Sequence, residues 1–247
     1  MLTKRDRNLY DRQIMIPEIG EKGQERLNQA KVLIAGVGGL GSPTAFYLAA
    51  AGIGTIRLVD YDVVDISNLN RQILHWDGDI GREKVDSALE KLSRLNPSMN
   101  IEPVREKIRE DNLSRIVEGC NLIVDAMDNF NVRYLLNRSA VDHQIPLFHG
   151  AVRGFEGRAM TILPGQTACL MCMYRGPVPE EKSPVIGVTP AVIGAIQATE
   201  VIKFLTGVGQ LLTNRILLFD GIDMTFKEFR VNRNPHCMHC GNIKGKE

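Results

Sequence analysis

The sequence predicts an α/β protein with a doubly wound, mostly parallel sheet that antiparallel strands extend. The first supporting observation is a glycine-rich stretch that joins a short strand pattern to a helical pattern at residues 31–51. The second is the recurrence of buried-strand and helical patterns through the first 150 residues, which is typical of parallel sheets covered on both faces. The third is a pair of alternating segments after residue 150, as in hairpins. Together these observations indicate a Rossmann-like fold.

The elements of the first half follow from hydrophobic periodicity. Residues 31–36 and 55–60 are strand patterns on either side of a helix of small residues at 42–51. A second helix is predicted at 82–97, where apolar side chains recur at helical spacing until a proline ends the pattern. Further strands are predicted in NIEPVRE, NLIVDAM and PLFHG.

The second half of the chain changes character. Residues 151–165 and 215–231 each alternate around a glycine, which predicts antiparallel strands that extend the sheet. Between them, residues 175–187 are rich in proline and charge and are predicted to form a crossing loop. A long, mostly apolar helix is predicted at 190–207.

Length and composition fit one globular domain. The 247 residues are 44% hydrophobic and 24% charged, and we expect a single domain over 1–247, with a nucleotide-binding half at 1–150 and an extension at 151–247. The net charge of +1 gives no electrostatic reason for nucleic acid or an anionic membrane as a partner. No signal-peptide pattern begins the chain and no apolar run approaches the roughly 18 residues of a membrane span, so a cytoplasmic protein is expected.

The glycine-rich turn, GVGGLG, predicts a phosphate site. Its glycines lie between a strand and a helix, where missing side chains admit phosphates and the helix N-terminus favours negative charge. They are Gly36, Gly38, Gly39 and Gly41. Asp60 ends the next strand, where a carboxylate can bond the ribose hydroxyls of a nucleotide. Glycines needed only for tight helix packing are the alternative, which the order of strand, helix and Asp60 disfavours.

A polar block behind Asp60 contains more phosphate-binding groups than an NAD site uses. The candidate cofactor-binding residues in it are Asp62, Asn68, Arg71, Gln72 and Lys84, and the polar Asn70 lies in the same block. Arg71 and Lys84 are suited to clamp a triphosphate, because both can neutralise charge that moves onto a leaving pyrophosphate. A solvated polar loop is the alternative, which the Asn-Leu-Asn-Arg-Gln run directly behind the ribose carboxylate disfavours.

Asp128 lies in VDAMDN, at the carboxyl end of another predicted strand, where open α/β sheets bind ligands. One interpretation is that it is a magnesium ligand beside the phosphates. The other is that it caps the following helix, a frequent use of Asp or Asn at such a position. The residues alone support both interpretations.

Four of the five cysteines form two C-x-x-C pairs, Cys169 with Cys172 and Cys237 with Cys240. Four thiolates at this spacing suit tetrahedral zinc, and a reducing cytosol disfavours a disulfide framework. The zinc is expected to be structural, because four cysteines leave no open coordination position, and it would tie the hairpin region to the C-terminal tail. A redox pair and unligated thiols are the alternatives.

The remaining cysteine and two nearby histidines are expected to stay outside this zinc site. Cys120 precedes a buried strand, where it is expected to pack in the core. His236 and His239 flank the last cysteines, but four thiols already complete a tetrahedral set.

These motifs together resemble the MoeB/ThiF/HesA family, relatives of ubiquitin-activating enzymes. The resemblance rests on GVGGLGS, the block Asp-Tyr-Asp-x-Val-x-x-Ser-Asn-Leu-Asn-Arg-Gln, Lys84, DAMDN and the paired C-x-x-C motifs, and it runs from LYDRQI near residue 9 to the last cysteine. It implies an adenylyltransferase that acts on a ubiquitin-like sulfur-carrier protein and uses ATP, magnesium and structural zinc.

The resemblance also implies roles for individual residues. The glycine turn holds ATP, the acid matching Asp60 binds its ribose, and the acid matching Asp128 positions magnesium. The residues that surround the phosphates match Asn68, Arg71, Gln72 and Lys84. Arg12, in LYDRQI, matches an arginine that such enzymes insert into the partner subunit's site, which implies a homodimer with shared sites.

The implied reaction is attack by the carrier's C-terminal carboxylate on the α-phosphorus of ATP, which gives an acyl-adenylate and pyrophosphate. The carrier tail of this family ends in Gly-Gly, which has no side chains to clash in a narrow channel. Some relatives use a cysteine in the crossing loop for a covalent link, but Ser183 stands at the matching position here. We therefore expect adenylation alone, with sulfur supplied by a separate sulfurtransferase, and the absence of a rhodanese-like extension after the zinc motif agrees with this.

Two other classes of protein remain open from the sequence. One is an NAD-dependent oxidoreductase on the same fold, for which no hydride-transfer constellation stands out. The other is a non-catalytic nucleotide- and zinc-binding sensor that responds to redox state. Within the preferred class, molybdopterin, thiamine and tRNA-thiolation pathways use similar enzymes, and a close relative adenylates a tRNA base modification. The short chain favours a MoaD-like or ThiS-like carrier.

Overall fold

The computed structural model describes residues 1–174 and 184–241, which share one eight-stranded sheet. Its strands are β1 (Lys31–Ala35), β2 (Thr55–Val59), β3 (Asn100–Val104), β4 (Leu122–Asp125), β5 (Leu147–Arg153), β6 (Glu156–Ile162), β7 (Arg215–Asp220) and β8 (Thr225–Arg230). Their order across the sheet is β3-β2-β1-β4-β5-β6-β7-β8. Strands β1 to β5 pair in parallel, and β6, β7 and β8 follow in antiparallel pairing. The predicted parallel sheet with an antiparallel extension is confirmed.

Helices cover both faces of this sheet. They are α1 (Lys4–Leu9), α2 (Asp11–Ile14), α3 (Gly20–Gln29), α4 (Gly41–Ala51), α5 (Lys84–Leu95), α6 (Glu110–Val117), α7 (Phe130–His143), α8 (Leu170–Met173) and α9 (Val188–Thr206). Two residues of β1 show how the core divides. Ile34 packs in the apolar cluster under α4, α5 and α9, while Leu33 faces the cluster under α6 and α7. Because side chains alternate along a strand, a strand covered on both faces is apolar on both, as β1 is from Val32 to Ala35.

Helix α9 corrects one expectation from the sequence. We expected no apolar run near the length of a membrane span, yet α9 has 19 residues and meets that criterion by length and composition. It packs against β5, β6 and α4, and 44% of the residues in its apolar window are buried. Its Gln197 donates hydrogen bonds to the carbonyl oxygens of Asp125 and Phe148, both at 2.9 Å. A helix that is apolar on most sides is also what a buried core position requires, and α9 occupies one.

Candidate functional site

The glycine turn brings the backbone of β1 against the loop that follows β4. Gly36 has a φ of +93°, and a Cβ at this position would lie 2.8 Å from the carbonyl oxygen of Ala126. A Cβ on Gly41 would lie 1.9 Å from the carbonyl oxygen of Gly36, so neither position accepts a side chain without rearrangement. Helix α4 begins at Gly41, and its N-terminus therefore lies beside the turn, as an anion site requires.

The Asp60 carboxylate is fixed at the end of β2 by two backbone hydrogen bonds. Its Oδ2 accepts from the Val37 amide of the glycine turn at 2.8 Å, and its Oδ1 accepts from the Asp62 amide at 3.0 Å. Burial raises the pKa of Asp60, while the nearby Lys84 ammonium opposes that shift. Each oxygen has a second acceptor position, so ribose hydroxyls can bond here without displacing the backbone.

Lys84 and Gln72 complete the buried wall of this site. Lys84 is the first residue of α5, is 5% exposed, and places its Nζ 2.8 Å from the Asp62 carboxylate. Gln72 is also 5% exposed, and its Nε2 lies 3.5 Å from the position of a Cβ on Gly38. The buried Oε1 of Gln72 has no hydrogen-bond partner within residues 1–174 and 184–241. The site therefore offers the positive charge of Lys84, the N-terminus of α5 and the unused acceptor oxygen of Gln72.

Arg71 and Asn68 lie in the same loop, but groups of that loop hold both side chains. Arg71 lies beside Gly39, whose Cβ would be 3.6 Å from the Arg71 Cγ. Its Nη1 donates to the Ser67 carbonyl at 2.8 Å and to the Asn70 side chain at 3.0 Å. The Asn68 Oδ1 accepts from the Asp65 amide at 3.2 Å and so caps a short 3-10 turn. Phosphate contact by either residue remains a prediction.

Asp128 follows β4 and is exposed. The helix after it is capped by Asn129, whose Oδ1 accepts from the Val132 amide at 2.9 Å. The interpretation of Asp128 as the helix cap is therefore wrong, because its neighbour fills that position. Charge repulsion from Asp62, burial, and charge repulsion from Asp128 raise the pKa of the Tyr61 hydroxyl, so the Asp128 carboxylate acts on the loop that follows β2.

Arg12 lies away from this site. It is exposed on α2, and the neighbouring Gln13 donates to the carbonyl oxygen of Ala51 at 3.1 Å. Ala51 ends α4, about 15 Å along the helix axis from the glycine turn where α4 begins. Within one chain, Arg12 is therefore at the opposite edge of the sheet from the predicted phosphates.

His75 is a site residue that the sequence analysis missed. Its Nε2 donates to the Val37 carbonyl of the glycine turn at 2.9 Å, because a carbonyl can only accept, and its Nδ1 lies 2.9 Å from the Ser87 hydroxyl. The ring is 3% exposed, and burial lowers the pKa of His75 to about 4. Its place in the polar block, close behind Gln72, was the available signal.

The buried, neutral His75 predicts a specific loss of stability in mild acid. The unfolded residue titrates near 6.5 and the folded one near 4, so the unfolded chain binds more protons between these values and stability falls as pH falls through them. Between pH 7 and pH 5, this group is expected to lower the free energy of unfolding by about 2 kcal/mol. Urea denaturation at both pH values measures it. His75→Gln keeps a donor for Val37, and an unchanged pH dependence in that variant contradicts the assignment.

The four paired cysteines converge into one buried cluster. Their Sγ atoms all lie within 4.8 Å of one another, with Cys169 3.6 Å from Cys237 and Cys172 3.4 Å from Cys240. Zinc–sulfur bonds of about 2.3 Å at tetrahedral angles place sulfurs about 3.8 Å apart, so this donor set fits a zinc ion. Burial raises the pKa of Cys240 to about 11, and a bound cation would reverse that shift.

The residues expected to stay outside the cysteine cluster do so. The Nδ1 of His239 lies 2.7 Å from the Asn137 side-chain amide, and His236 is exposed. Cys120 is buried in the core under α6 and α7, where burial raises the pKa of its thiol. Ser183, the residue of interest in the crossing loop, lies outside the described residues.

The fold, the glycine turn and the cysteine cluster define the class of the protein. It is a doubly wound α/β protein with a glycine turn at a helix N-terminus, as in phosphate-binding folds, and a four-cysteine cluster suited to a metal. The chain belongs to the ThiF family, whose model matches residues 10–239.

Individual relatives agree with this family assignment. The chain is 43% identical over 245 residues to the SAMP-activating enzyme E1 of Haloferax volcanii, covering 97% of this chain and 90% of that protein. It is 39% identical over 251 residues to the sulfur carrier protein adenylyltransferase of Thermus thermophilus, covering 97% and 93%. A crystal structure of E. coli MccB matches with a TM-score of 0.87 at 24% identity, covering 98% of this chain and 74% of that one, which shows the shared fold.

Proposed function

We propose that this protein is an adenylyltransferase that activates the C-terminal carboxylate of a ubiquitin-like sulfur-carrier protein with ATP. One observation carries the proposal: the Asp60 carboxylate is bonded to a glycine turn that excludes side chains at two positions, and the buried Lys84 ammonium lies close to Asp60. Two relatives named as a SAMP-activating enzyme and a sulfur carrier protein adenylyltransferase support the carrier as substrate.

In the proposed reaction, the carrier carboxylate attacks the α-phosphorus and forms the acyl–phosphate bond. The bond between the α-phosphorus and the bridging oxygen breaks, and pyrophosphate leaves with the electron pair. The chemistry needs alignment and neutralised charge more than a protein nucleophile. Lys84 and the N-terminus of α5 supply positive charge at the phosphates, and Asp60 holds the ribose.

Magnesium and zinc have different proposed roles. The exposed Asp128 carboxylate is the magnesium ligand of this chain, since carboxylate oxygens suit this hard cation. Magnesium would neutralise phosphate oxygens and help to position the leaving group. The cysteine cluster holds zinc as a structural ion that joins α8 to the segment that carries Cys237 and Cys240.

The proposed working unit is a homodimer. Arg12 is exposed on the edge opposite the chain's own glycine turn, so the phosphates it would contact belong to the partner subunit's site. The proposed carrier is MoaD-like or ThiS-like with a Gly-Gly tail, its pathway is molybdopterin, thiamine or tRNA thiolation, and a separate sulfurtransferase provides the sulfur. The proposed location is the cytoplasm.

The test is exchange of labelled pyrophosphate into ATP by the purified protein with magnesium and a panel of small Gly-Gly-ending carriers. Exchange is expected only with a carrier whose terminal carboxylate is free, and the matched control is the same carrier with its C-terminal carboxylate amidated. A lack of exchange with every carrier contradicts the proposal. Tight NADH binding without any response to ATP would support an oxidoreductase instead.

A further inference from the structure

Asp128 lies between Met127, whose backbone groups are bonded by the buried side chains of Asp125 and Arg133, and Asn129, the N-cap of α7. The Met127 amide donates to the Asp125 Oδ1 at 3.2 Å, and the Met127 carbonyl accepts from the Arg133 Nε at 3.1 Å and from its Nη2 at 2.7 Å. On the other side, Asn129 caps α7. Asp128 is therefore the single residue between two fixed points.

The Asp125 carboxylate that holds Met127 is itself held by His149. The His149 Nδ1 lies 2.7 Å from the Asp125 Oδ2, and both side chains have no exposed surface. Parallel pairing of β4 with β5 sets Asp125 directly beside His149, so both project from the same face of the sheet. Because a carboxylate accepts, Nδ1 carries the proton, and the Nε2 of His149 has no hydrogen-bond partner in the described parts of the chain.

Arg133 completes this buried group. It is 5% exposed, and its Nε lies 3.9 Å from the Asp125 Oδ2, so it compensates the buried negative charge while it bonds Met127. Burial lowers the pKa of His149 although its hydrogen bond and charge interaction with Asp125 oppose the shift, and the positive charge of Arg133 adds to the lowering. The three side chains come from β4, β5 and α7 and meet behind one loop.

We propose that Asp125, His149 and Arg133 are positioning residues that set the Asp128 carboxylate for the divalent cation bound with ATP. This proposal rests on the proposed function. Residues behind a metal ligand orient it, and loss of such partners weakens metal affinity by about tenfold to a hundredfold. The expected result is weaker cation binding with little change in the affinity for the nucleotide alone.

The test is the dissociation constant of Mn²⁺ in the presence of a non-hydrolysable ATP analogue, followed by the free-ion electron paramagnetic resonance signal. His149→Leu removes the donor to Asp125 and is expected to raise this constant at least about tenfold. His149→Asn places an amide donor near the position of Nδ1 and is expected to restore binding to within about threefold of the unaltered protein. The concentration of Mg²⁺ that half-saturates pyrophosphate exchange should follow the same order.

A control variant separates positioning from stability. The Thr161 hydroxyl donates to the buried Glu200 Oε2 at 2.6 Å, away from the Asp128 loop, so Thr161→Val should lower stability and leave Mn²⁺ affinity unchanged. If His149→Leu does not fold, Asp125→Asn tests the same contacts with an isosteric side chain.

Two outcomes overturn the proposal: a folded His149→Leu or Asp125→Asn protein with unaltered Mn²⁺ affinity, or an equal loss of affinity in Thr161→Val. Failure of the unaltered protein to exchange pyrophosphate with any carrier is a different result, because it contradicts the proposed function while the Mn²⁺ measurement still decides the positioning role.

Discussion

Replacing Lys84 by alanine is expected to slow carrier adenylation by at least about a hundredfold, since one preorganised charge at a reacting centre contributes about that much. The ammonium group is buried near Asp60, and its partner Asp62 is half-exposed and can be hydrated after the change. The fold should therefore tolerate the substitution. The measurement is the single-turnover rate of carrier-adenylate formation at saturating ATP, magnesium and carrier.

Two controls accompany this measurement. Lys31→Ala removes a partly buried lysine that is paired with Glu102 at 2.7 Å at the amino end of β1, and should leave the rate unchanged. An equal loss in both variants would show that the effect is not local to the site.

The second control mixes the Lys84→Ala protein with the Arg12→Ala protein. If subunits exchange and sites are shared, half of the dimers are mixed and one of their two sites is intact, so about a quarter of the activity should return.

Removal of the zinc ion proposed for the cysteine cluster is expected to lower the free energy of unfolding by at least about 4 kcal/mol, because the binding free energy of a structural zinc ion is also folding free energy. The cluster joins residues 68 positions apart in sequence, such as Cys169 and Cys237, and so ties the segment that carries Cys237 and Cys240 to the start of α8. Metal content by mass spectrometry and urea denaturation, before and after chelation, measure the effect.

The matched variants for that prediction are Cys240→Ser and Cys120→Ala. Both thiols are buried, but only Cys240 belongs to the cluster. Cys240→Ser should lose the metal and most of the stability gained from it, whereas Cys120→Ala should retain one metal ion per chain and lose about 1 kcal/mol. If metal-free protein unfolds at the same urea concentration as untreated protein, the proposed structural role of the zinc ion is wrong.

Much of the candidate site could be predicted because its residues follow strands in sequence. Asp60 directly follows β2 and Asp128 follows β4, and parallel strands present their carboxyl ends at one edge of a sheet. The sequence could not decide whether Asp128 is a metal ligand or a helix cap. Asp and Asn cap helices equally well, and Asp128 and Asn129 both stand at this turn. The capping bond of Asn129 removes the second interpretation.

Other residues escaped prediction because their partners are distant in sequence. His149 lies in an apolar strand pattern that a histidine does not disturb, and its role depends on Asp125, which lies 24 positions earlier. His75 depends in the same way on the Val37 carbonyl, 38 positions earlier. Neither pair has a fixed spacing that a motif could express.

The sequence by itself determined the kinds of element, the glycine turn and the four-cysteine set, because these depend on local periodicity, on φ angles that glycine allows and on short spacings. The tertiary structure decided which polar side chains are buried together and which remain exposed. It sets Lys84 against Asp62, Arg133 against the Met127 carbonyl, and Arg12 at the opposite edge. These contacts depend on how strands pair and how helices pack on the sheet. They join residues that are distant in sequence and become buried together, so local sequence patterns do not determine them.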